Sequence, residues 1–190
     1  MGLLSLFRAI RTIYSLLSLL LLIVAIYIGL VLYTASQSSI SDVTVSNVTN
    51  VTKNGFTIEG GLSVYNGGLI PIDVREVTYN LTLEDGPIDL GRGTIPGAKI
   101  KPKDTDRFAY AHHVNFSRSV AQALSLTEKN SNVAVEGDVV VNHLGLYETK
   151  MHFRTDFDLL ETIANQAQAF APIAVATANA FLNTLNELLN

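Results

Sequence analysis

Residues 77–84 read VTYNLTLE, and this stretch decides the fold class. Its apolar side chains occupy every second position from Val77 to Leu83, with Thr and Asn between them. Side chains on a β-strand point alternately to opposite faces, so this alternation is typical of a strand with one buried face. The residues that follow, Asp85-Gly86-Pro87, favour a turn, and the strand is therefore predicted to end there.

The same alternation recurs along the chain and predicts about seven strands. The apolar positions of the other clear runs are Phe56, Ile58, Leu62 and Val64; Phe108, Tyr110, His112 and Val114; Val133, Val135, Val139 and Val141; and Tyr147, Thr149, Met151, Phe153 and Phe157. Residues 117–129 break the pattern and predict one short helix, with Ser117 as its N-cap. The fold class is predicted to be mainly β, an immunoglobulin-like or fibronectin-like antiparallel β-sandwich.

The N-terminal part predicts a transmembrane helix over residues 13–35. No charged residue stands between Arg11 and Asp42, and Tyr14 and Tyr33 lie near the two ends of the apolar run, where aromatic belts occur. About 20 helical residues suffice to cross a hydrocarbon core of about 30 Å. A cleaved signal peptide is the alternative, but its apolar region is normally about 7–15 residues and this one is longer.

The charges that flank this helix predict its orientation. Arg8 and Arg11 precede the helix and Asp42 follows it, so residues 1–12 should stay in the cytosol, with the chain a single-pass protein of the cell membrane. We expect a linker at 36–41, an extracytosolic β-sandwich domain at 42–158 and a helical tail at 159–190.

The tail is predicted to be an ordered amphipathic helix, because its apolar residues recur at steps of three and four. Phe170, Phe181, Leu185 and Leu188 supply most of its apolar area, and Pro172 should kink or split the helix. The apolar stripe can pack on the sandwich, on a second copy or on an envelope protein. A second membrane span is disfavoured by Asn165, Gln166, Gln168 and Asn179.

The composition and the motifs favour a protein without catalytic activity. A net charge of −4 without a basic stripe argues against nucleic-acid binding, and the absence of cysteine excludes disulfides and thiolate chemistry. His112 and His113 are neighbours on one strand, so they should face opposite ways, and neither His143 nor His152 has a carboxylate at ligand spacing in the sequence. We therefore predict no enzyme, no cofactor and no metal site.

Four Asn-x-Ser/Thr motifs make glycosylation possible if the domain is exported. They begin at Asn47, Asn50, Asn80 and Asn115. Asn80 falls on the polar side of its strand, where an attached glycan would have room.

The exported domain resembles the second subgroup of late embryogenesis abundant proteins, which shares its domain with water-stress and hypersensitive-response proteins. The resemblance covers about residues 43–160 and rests on three stretches: residues 63–72, SVYNGGLIPI; the positions Val74, Val77, Tyr79, Leu81 and Leu83; and residues 90–93, LGRG. Gly67-Gly68 stands where the family usually has Pro-Asn. The resemblance implies a β-sandwich with a helix, membrane-anchored members, and roles in desiccation stress, defence signalling and lipid handling.

The expected function is thus a membrane-anchored binding or stress-protective module. Its partners would be the lipid bilayer, through the N-terminal helix, and an envelope protein or a second copy, through the C-terminal helix. A lipid-binding domain with an apolar cleft between its sheets is the alternative, and an enzyme is a remote one.

Overall fold

The computed structural model describes residues 3–52, 54–84, 88–115 and 131–163. One long helix precedes eight strands in these residues: α1 (Leu3–Gln37), β1 (Ser38–Thr52), β2 (Gly55–Asn66), β3 (Ile72–Leu83), β4 (Ile88–Pro96), β5 (Lys99–Ile100), β6 (Asp104–Asn115), β7 (Asn132–His143) and β8 (Tyr147–Asp158). Residues 159–163 form a short helix after β8.

The strands form two antiparallel sheets. The order is β1-β2-β6 in the three-stranded sheet and β4-β3-β7-β8 in the five-stranded sheet, where β5 also pairs with β3. Strand β4 contacts β6 and strand β1 contacts β8, so the two sheets pack on each other around one core. The predicted fold class, mainly β with two antiparallel sheets after an apolar helix, is confirmed.

The alternation in the sequence corresponds to burial in the structure. In β3, the side chains of Val77, Leu81 and Leu83 are fully buried, whereas Thr78 and Thr82 between them are half-buried. The largest fully buried apolar side chains come from both sheets and from the short helix: Phe56, Ile58, Leu62, Ile72, Leu81, Leu83, Ile100 and Leu159. Burying such a side chain stabilises the fold by about 1.5–3 kcal/mol, which explains why period two specifies this core.

The boundary between helix and sandwich differs from the prediction. Helix α1 ends at Gln37 and β1 begins at Ser38, so the residues expected to form a linker at 36–41 belong to these two elements. Ser38 is paired with Asn66, and its hydroxyl donates a hydrogen bond to the carbonyl of Thr34, 2.9 Å away. Hydrogen bonding to the backbone of β2 therefore holds these serine residues in a strand, although serine itself has only a weak tendency to form strands.

The sandwich has two distinct ends. Strand β1 is antiparallel to β2 and begins where β2 ends, at the pair Ser38 and Asn66. We call this the helix-proximal end; it also holds β5 and the β7–β8 turn at residues 144–146. The distal end holds the β1–β2 turn, the end of β8 and the short helix at 159–163.

Several predictions fall outside the described residues. These are the short helix at 117–129, the turn at 85–87, and the tail beyond residue 163 with Phe170, Phe181, Leu185 and Leu188. The first tail residues, 159–163, are helical. Residues 90–93, one of the three stretches that carry the family resemblance, lie inside β4, where a register shift opposite Leu81 and Thr82 accommodates Gly91 at φ +126°.

Candidate functional site

Three features of the described residues could carry function: a charged groove on the five-stranded sheet, an aromatic cluster between the sheets, and the junction between α1 and the sandwich. The groove lies on the solvent side of β3, β4 and β7, with a volume of about 440 Å³. Its lining comprises Thr78, Tyr79, Asn80, Asp89, Arg92, Glu136, Gly137, Asp138 and His152. We call it the outer groove.

Cross-strand pairing assembles the charges of the outer groove. Asp138 on β7 lies directly opposite His152 on β8, with Nδ1 of the imidazole 3.3 Å from Oδ1 of the carboxylate. Lys150 approaches the other carboxylate oxygen at 2.8 Å. Hydrogen bonding from Lys150, against a smaller opposing effect of burial, lowers the pKa of Asp138 below its ordinary value. The carboxylate is therefore ionised and engaged on both sides at neutral pH.

The pairing of His152 with Asp138 was missed from the sequence. The two residues are 14 positions apart and have no motif spacing. The sequence signal for this contact is the hairpin. In a hairpin whose turn is centred on Gly145, paired residues have numbers that sum to 290. His143 and Tyr147 form one such pair, and Asp138 and His152 form another. Fixing that turn would have predicted the contact.

The remaining histidines have different partners. His112 lies 3.4 Å from the hydroxyl of Tyr79, whereas His113 lies 3.3 Å from the hydroxyl of Thr57, so the two side chains leave opposite faces of β6 as predicted. His143 is fully buried, and its Nε2 lies 2.9 Å from the hydroxyl of Thr149. Burial lowers the pKa of His143. Within the described ranges, no group of three or more potential ligands is arranged to hold a metal ion.

An aromatic cluster joins the two sheets. The rings of Tyr79 and Tyr110 lie 4.9 Å apart, and the ring of His112 meets Tyr79 edge-on at 5.7 Å. Gly91 and Gly93 make room for it, because a Cβ at either position would lie 2.3 Å from His112 or Tyr79. Burial, with a smaller effect of Tyr79, raises the pKa of Tyr110 to about 12. This cluster of rings is suited to packing the sheets together.

The junction connects α1 to the loop between β2 and β3. Thr34 is fully buried, and its hydroxyl accepts a hydrogen bond from the backbone N–H of Leu69 at 3.3 Å. The carbonyl of Gln37 accepts another from Gly67 at 3.2 Å. Gly68 lies against Thr34 so closely that a Cβ would come within 2.2 Å of the threonine methyl group. The helix end is therefore a fitted part of the sandwich.

Asn66 holds this loop from beneath. Its buried side-chain amide donates to the carbonyls of Ile70, Ile100 and Lys101 at 2.9, 3.2 and 3.1 Å, and its oxygen accepts from the N–H of Gly68 at 3.0 Å. In the sequence, Asn66 is only one residue of the stretch 63–72 that carries the family resemblance. Its role in fixing loop 67–71 against residues 100–101 is visible only once β5 is placed beside β3.

The four candidate glycosylation sites are spread over the sandwich. Asn47, Asn50 and Asn115 are exposed, and all lie in its distal half. Asn80 is half-buried in the outer groove, where its amide donates to the hydroxyl of Thr82 at 3.3 Å. A glycan on Asn80 would fill the groove, so occupancy of this site and binding of a ligand there are alternatives.

Comparison with known proteins gives similarity in fold alone. Neither a family model nor a curated protein sequence matches this chain. A protein from Archaeoglobus fulgidus has a TM-score of 0.46 and 14% identity, over 63% of this chain and 97% of that chain. A protein from Arabidopsis thaliana has a TM-score of 0.44 and 18% identity, over 64% and 80% of the two chains. A candidate late embryogenesis abundant protein has a TM-score of 0.41 and 15% identity, over 78% and 88%.

Proposed function

We propose that this protein is a membrane-anchored, extracytosolic binding module whose helix remains attached to the folded domain. The observation that carries the proposal is the combination of an exposed apolar helix and a fitted junction. The segment Ile10–Gln37 has 28 residues and is long and apolar enough to cross a membrane, yet only 6% of its most apolar window is buried against the rest of the chain. Such a surface requires an apolar environment.

The junction supports an uncleaved anchor over a cleaved signal peptide. Cleavage near Gln37 would remove Thr34, which is fully buried and accepts a hydrogen bond from the domain. It would also empty the space beside Gly68, a residue whose missing side chain matches the threonine. A signal peptide that is removed by cleavage is not expected to contribute buried and hydrogen-bonded residues to the mature domain.

Topology and attachment can be tested together by a tag placed after Asn190. In intact cells, external protease should remove the tag, and the mass of the mature chain should include residues 1–37. Survival of the tag until lysis would contradict the proposed orientation. A mature chain that begins near residue 37 would contradict the anchor.

We further propose a non-enzymatic role as a member of the second late embryogenesis abundant subgroup. Support comes from the resemblance at residues 63–72 and 77–83, which form the end of β2, the loop after it, and β3. The His152–Asp138 pair does not favour an enzyme, because His152 is 63% exposed and Lys150 competes for the carboxylate.

A protective role predicts that the full chain, reconstituted in phosphatidylcholine vesicles, reduces leakage of a trapped dye during drying and rehydration. The matched control is the α1 peptide alone at equal molar ratio. Equal leakage in both samples would remove the stress-protective part of the proposal and leave the anchored binding module.

The lipid-handling alternative has less support. It needs an apolar cleft between the sheets, and that space is filled by side chains such as Phe56, Leu62, Leu81 and Phe108, none more than 4% exposed. Lipid that stays bound within the domain during native mass spectrometry, after detergent is stripped from the full chain, would restore this alternative.

A further inference from the structure

The exposed apolar residues of the sandwich are concentrated at its helix-proximal end. Outside α1, the large apolar side chains that are exposed in the described residues are Leu69, Leu144, Leu146 and Tyr147, with exposed fractions between 42% and 60%. Leu69 lies in the β2–β3 loop, and the other three lie at the β7–β8 turn. Clustering at one end of a domain marks an interaction surface more strongly than scattered exposure would.

The two loops form one surface beside the helix. A cavity of about 400 Å³ is lined by Pro71 from the first loop and by Leu144 and Gly145 from the second. Helix α1 contacts both the first loop, through Thr34, and strand β7. We call this surface, with Leu69, Leu144, Leu146 and Tyr147, the apolar rim.

The geometry of α1 sets the depth of the apolar rim. The side chains of Val31 and Thr34 are buried against the sandwich, although Val31 precedes the last helical residue by six positions. At about 1.5 Å per residue, the domain therefore reaches back about 9 Å along the helix axis. The predicted span of residues 13–35 ends within the stretch of α1 that the domain covers, so the rim and the edge of the hydrocarbon core lie at the same level.

The polar residues around the rim suit lipid headgroups. Lys99, Lys101 and Lys103 are exposed at this end, and Arg75 pairs with Glu148 at 3.3 Å. Asp73 and Asp104 also lie there, so both signs of charge are present. Such a mixture matches zwitterionic headgroups, while Tyr147 has the amphipathic ring that is enriched at membrane interfaces.

We propose that the apolar rim is a lipid-contacting surface, seated among the headgroups of the leaflet from which α1 emerges, with the Leu side chains at the acyl boundary. This inference rests on the proposed membrane anchor and goes beyond it, because an anchor needs only a helix. A seated rim fixes the tilt of the sandwich and holds the outer groove at a constant height above the bilayer.

The position of the chain's continuation favours lipid over the tail as occupant. Strand β8 starts at the rim and ends at Asp158, on the distal end. At about 3.3 Å per residue, the helical residues 159–163 therefore begin roughly 35–40 Å from the rim. The tail leaves the described fold at the end of the sandwich that faces away from the rim.

Single cysteines can test the depth of the rim, because the chain has no cysteine of its own. Leu146→Cys, Asn54→Cys and Ile23→Cys each place one environment-sensitive fluorophore on the full chain in phosphatidylcholine vesicles. Asn54 is exposed in the distal turn and serves as the matched control, and Ile23 reports on the anchor. Quenching is measured with a lipid-borne nitroxide and with aqueous iodide.

We expect the nitroxide to quench the probe at 146 several-fold more than the probe at 54, and iodide to show the reverse order. A probe at 146 that behaves like the probe at 54, while the probe at 23 is quenched by nitroxide, overturns the seated rim and leaves the anchor intact. Protection from both quenchers at 146 means that protein covers the rim, which also overturns the proposal. If nitroxide fails to quench the probe at 23, the anchor and the rim fall together.

Discussion

At the scale of single residues, buried polar atoms are the most informative feature of this core. The hydroxyl of Tyr110 is buried and has no hydrogen-bond partner among the described residues, whereas the hydroxyl of Tyr79 has His112 at 3.4 Å. A buried polar group without a partner costs about 1–3 kcal/mol, while a satisfied one contributes about 0.5–1.5 kcal/mol. The two tyrosines of one cluster therefore make opposite contributions.

The first prediction compares Tyr110→Phe with Tyr79→Phe. Removing the Tyr110 hydroxyl should leave the free energy of unfolding unchanged or raise it by up to about 1 kcal/mol, because no protein hydrogen bond is lost. Removing the Tyr79 hydroxyl should lower it by about 0.5–1.5 kcal/mol. Urea unfolding of the full chain in detergent measures both. A larger loss for Tyr110→Phe than for Tyr79→Phe would contradict this assignment.

The second prediction concerns pH and His143. Burial lowers its pKa, so the folded state holds a neutral imidazole under conditions where the unfolded state binds a proton. Stability from this residue is complete above the unfolded pKa of about 6.5 and is lost as the pH falls toward the folded pKa. At one pH unit below 6.5, the loss is at most about 1.4 kcal/mol.

His143→Gln removes this titration while keeping a group that can reach Thr149. We expect the variant to show a flatter dependence of unfolding free energy on pH between about 7.5 and 5.5 than the natural chain. Asn54→Gln, a change between two uncharged side chains at an exposed position of the distal turn, is the control and should keep the slope of the natural chain. If the unfolding free energy of His143→Gln depends on pH as steeply as that of the natural chain, the buried imidazole does not determine the pH dependence in this range.

At the scale of elements, the junction depends on the absence of a side chain at Gly68. A Cβ there would lie 2.5 Å from the Cβ of Thr34, closer than two such atoms can approach. We predict that Gly68→Ala displaces the helix end and exposes the N–H groups of Gly67 and Leu69, which hydrogen-bond to α1. Hydrogen exchange at these two amides should accelerate by at least about tenfold, equivalent to about 1.4 kcal/mol of local stability.

The matched control for this prediction is Gly29→Ala in the same helix, where an added Cβ meets nothing within 4 Å. In this variant, the amides of Gly67 and Leu69 should exchange hydrogen at the same rate as in the natural chain. Unchanged exchange in Gly68→Ala would show that the helix and the loop are not coupled.

The elements also show how far the sequence could predict this structure. The buried faces of β3 and β6 could be predicted from the alternation of apolar residues. Side chains at every second position share one face of a strand, and burying an apolar face stabilises the fold. Strand β5 could not be predicted in this way, because two residues, Lys99 and Ile100, are too few to show a periodic pattern. They form a strand only because β3 lies beside them. The start of β1 at Ser38 was missed for the same reason: its partner in β2, not its own composition, makes it a strand.

The candidate site was less predictable than the fold. The contact of His152 with Asp138 depends on the register of one hairpin, and the hydrogen bonds of Asn66 depend on three separate segments. Such contacts arise from tertiary packing, and a pattern within one strand does not encode them. The apolar rim shares this property, because its residues come from two loops that lie far apart in the sequence.

At the scale of the whole molecule, export would expose the candidate glycosylation sites to unequal degrees. We predict that Asn50 and Asn115, which are exposed in the distal half, are more fully glycosylated than Asn80 when the chain passes through a eukaryotic secretory pathway. The half-buried amide of Asn80 is held by Thr82, so its access is limited once β3 has formed. Peptide mass spectrometry measures the occupancy, and Asn→Gln at each position is the control. Full occupancy at Asn80 would contradict this prediction and would mean that the glycan is attached before β3 has formed.

The last prediction asks which parts of the chain the sandwich needs to fold. The core cluster contains residues from β1 to the short helix, including Leu159 and Ile163, and none from α1. A fragment of residues 38–163 should therefore fold cooperatively without the helix, although it loses the contacts of Val31, Thr34 and Gln37. If the tail buries its stripe of Phe170, Phe181, Leu185 and Leu188, a fragment of residues 38–190 should be more stable, or larger in solution, than the shorter one. Melting temperature and light scattering distinguish packing on the sandwich from self-association. Equal melting and equal mass for the two fragments would contradict an ordered tail, and a shorter fragment without a cooperative transition would show that the sandwich depends on segments outside its own core.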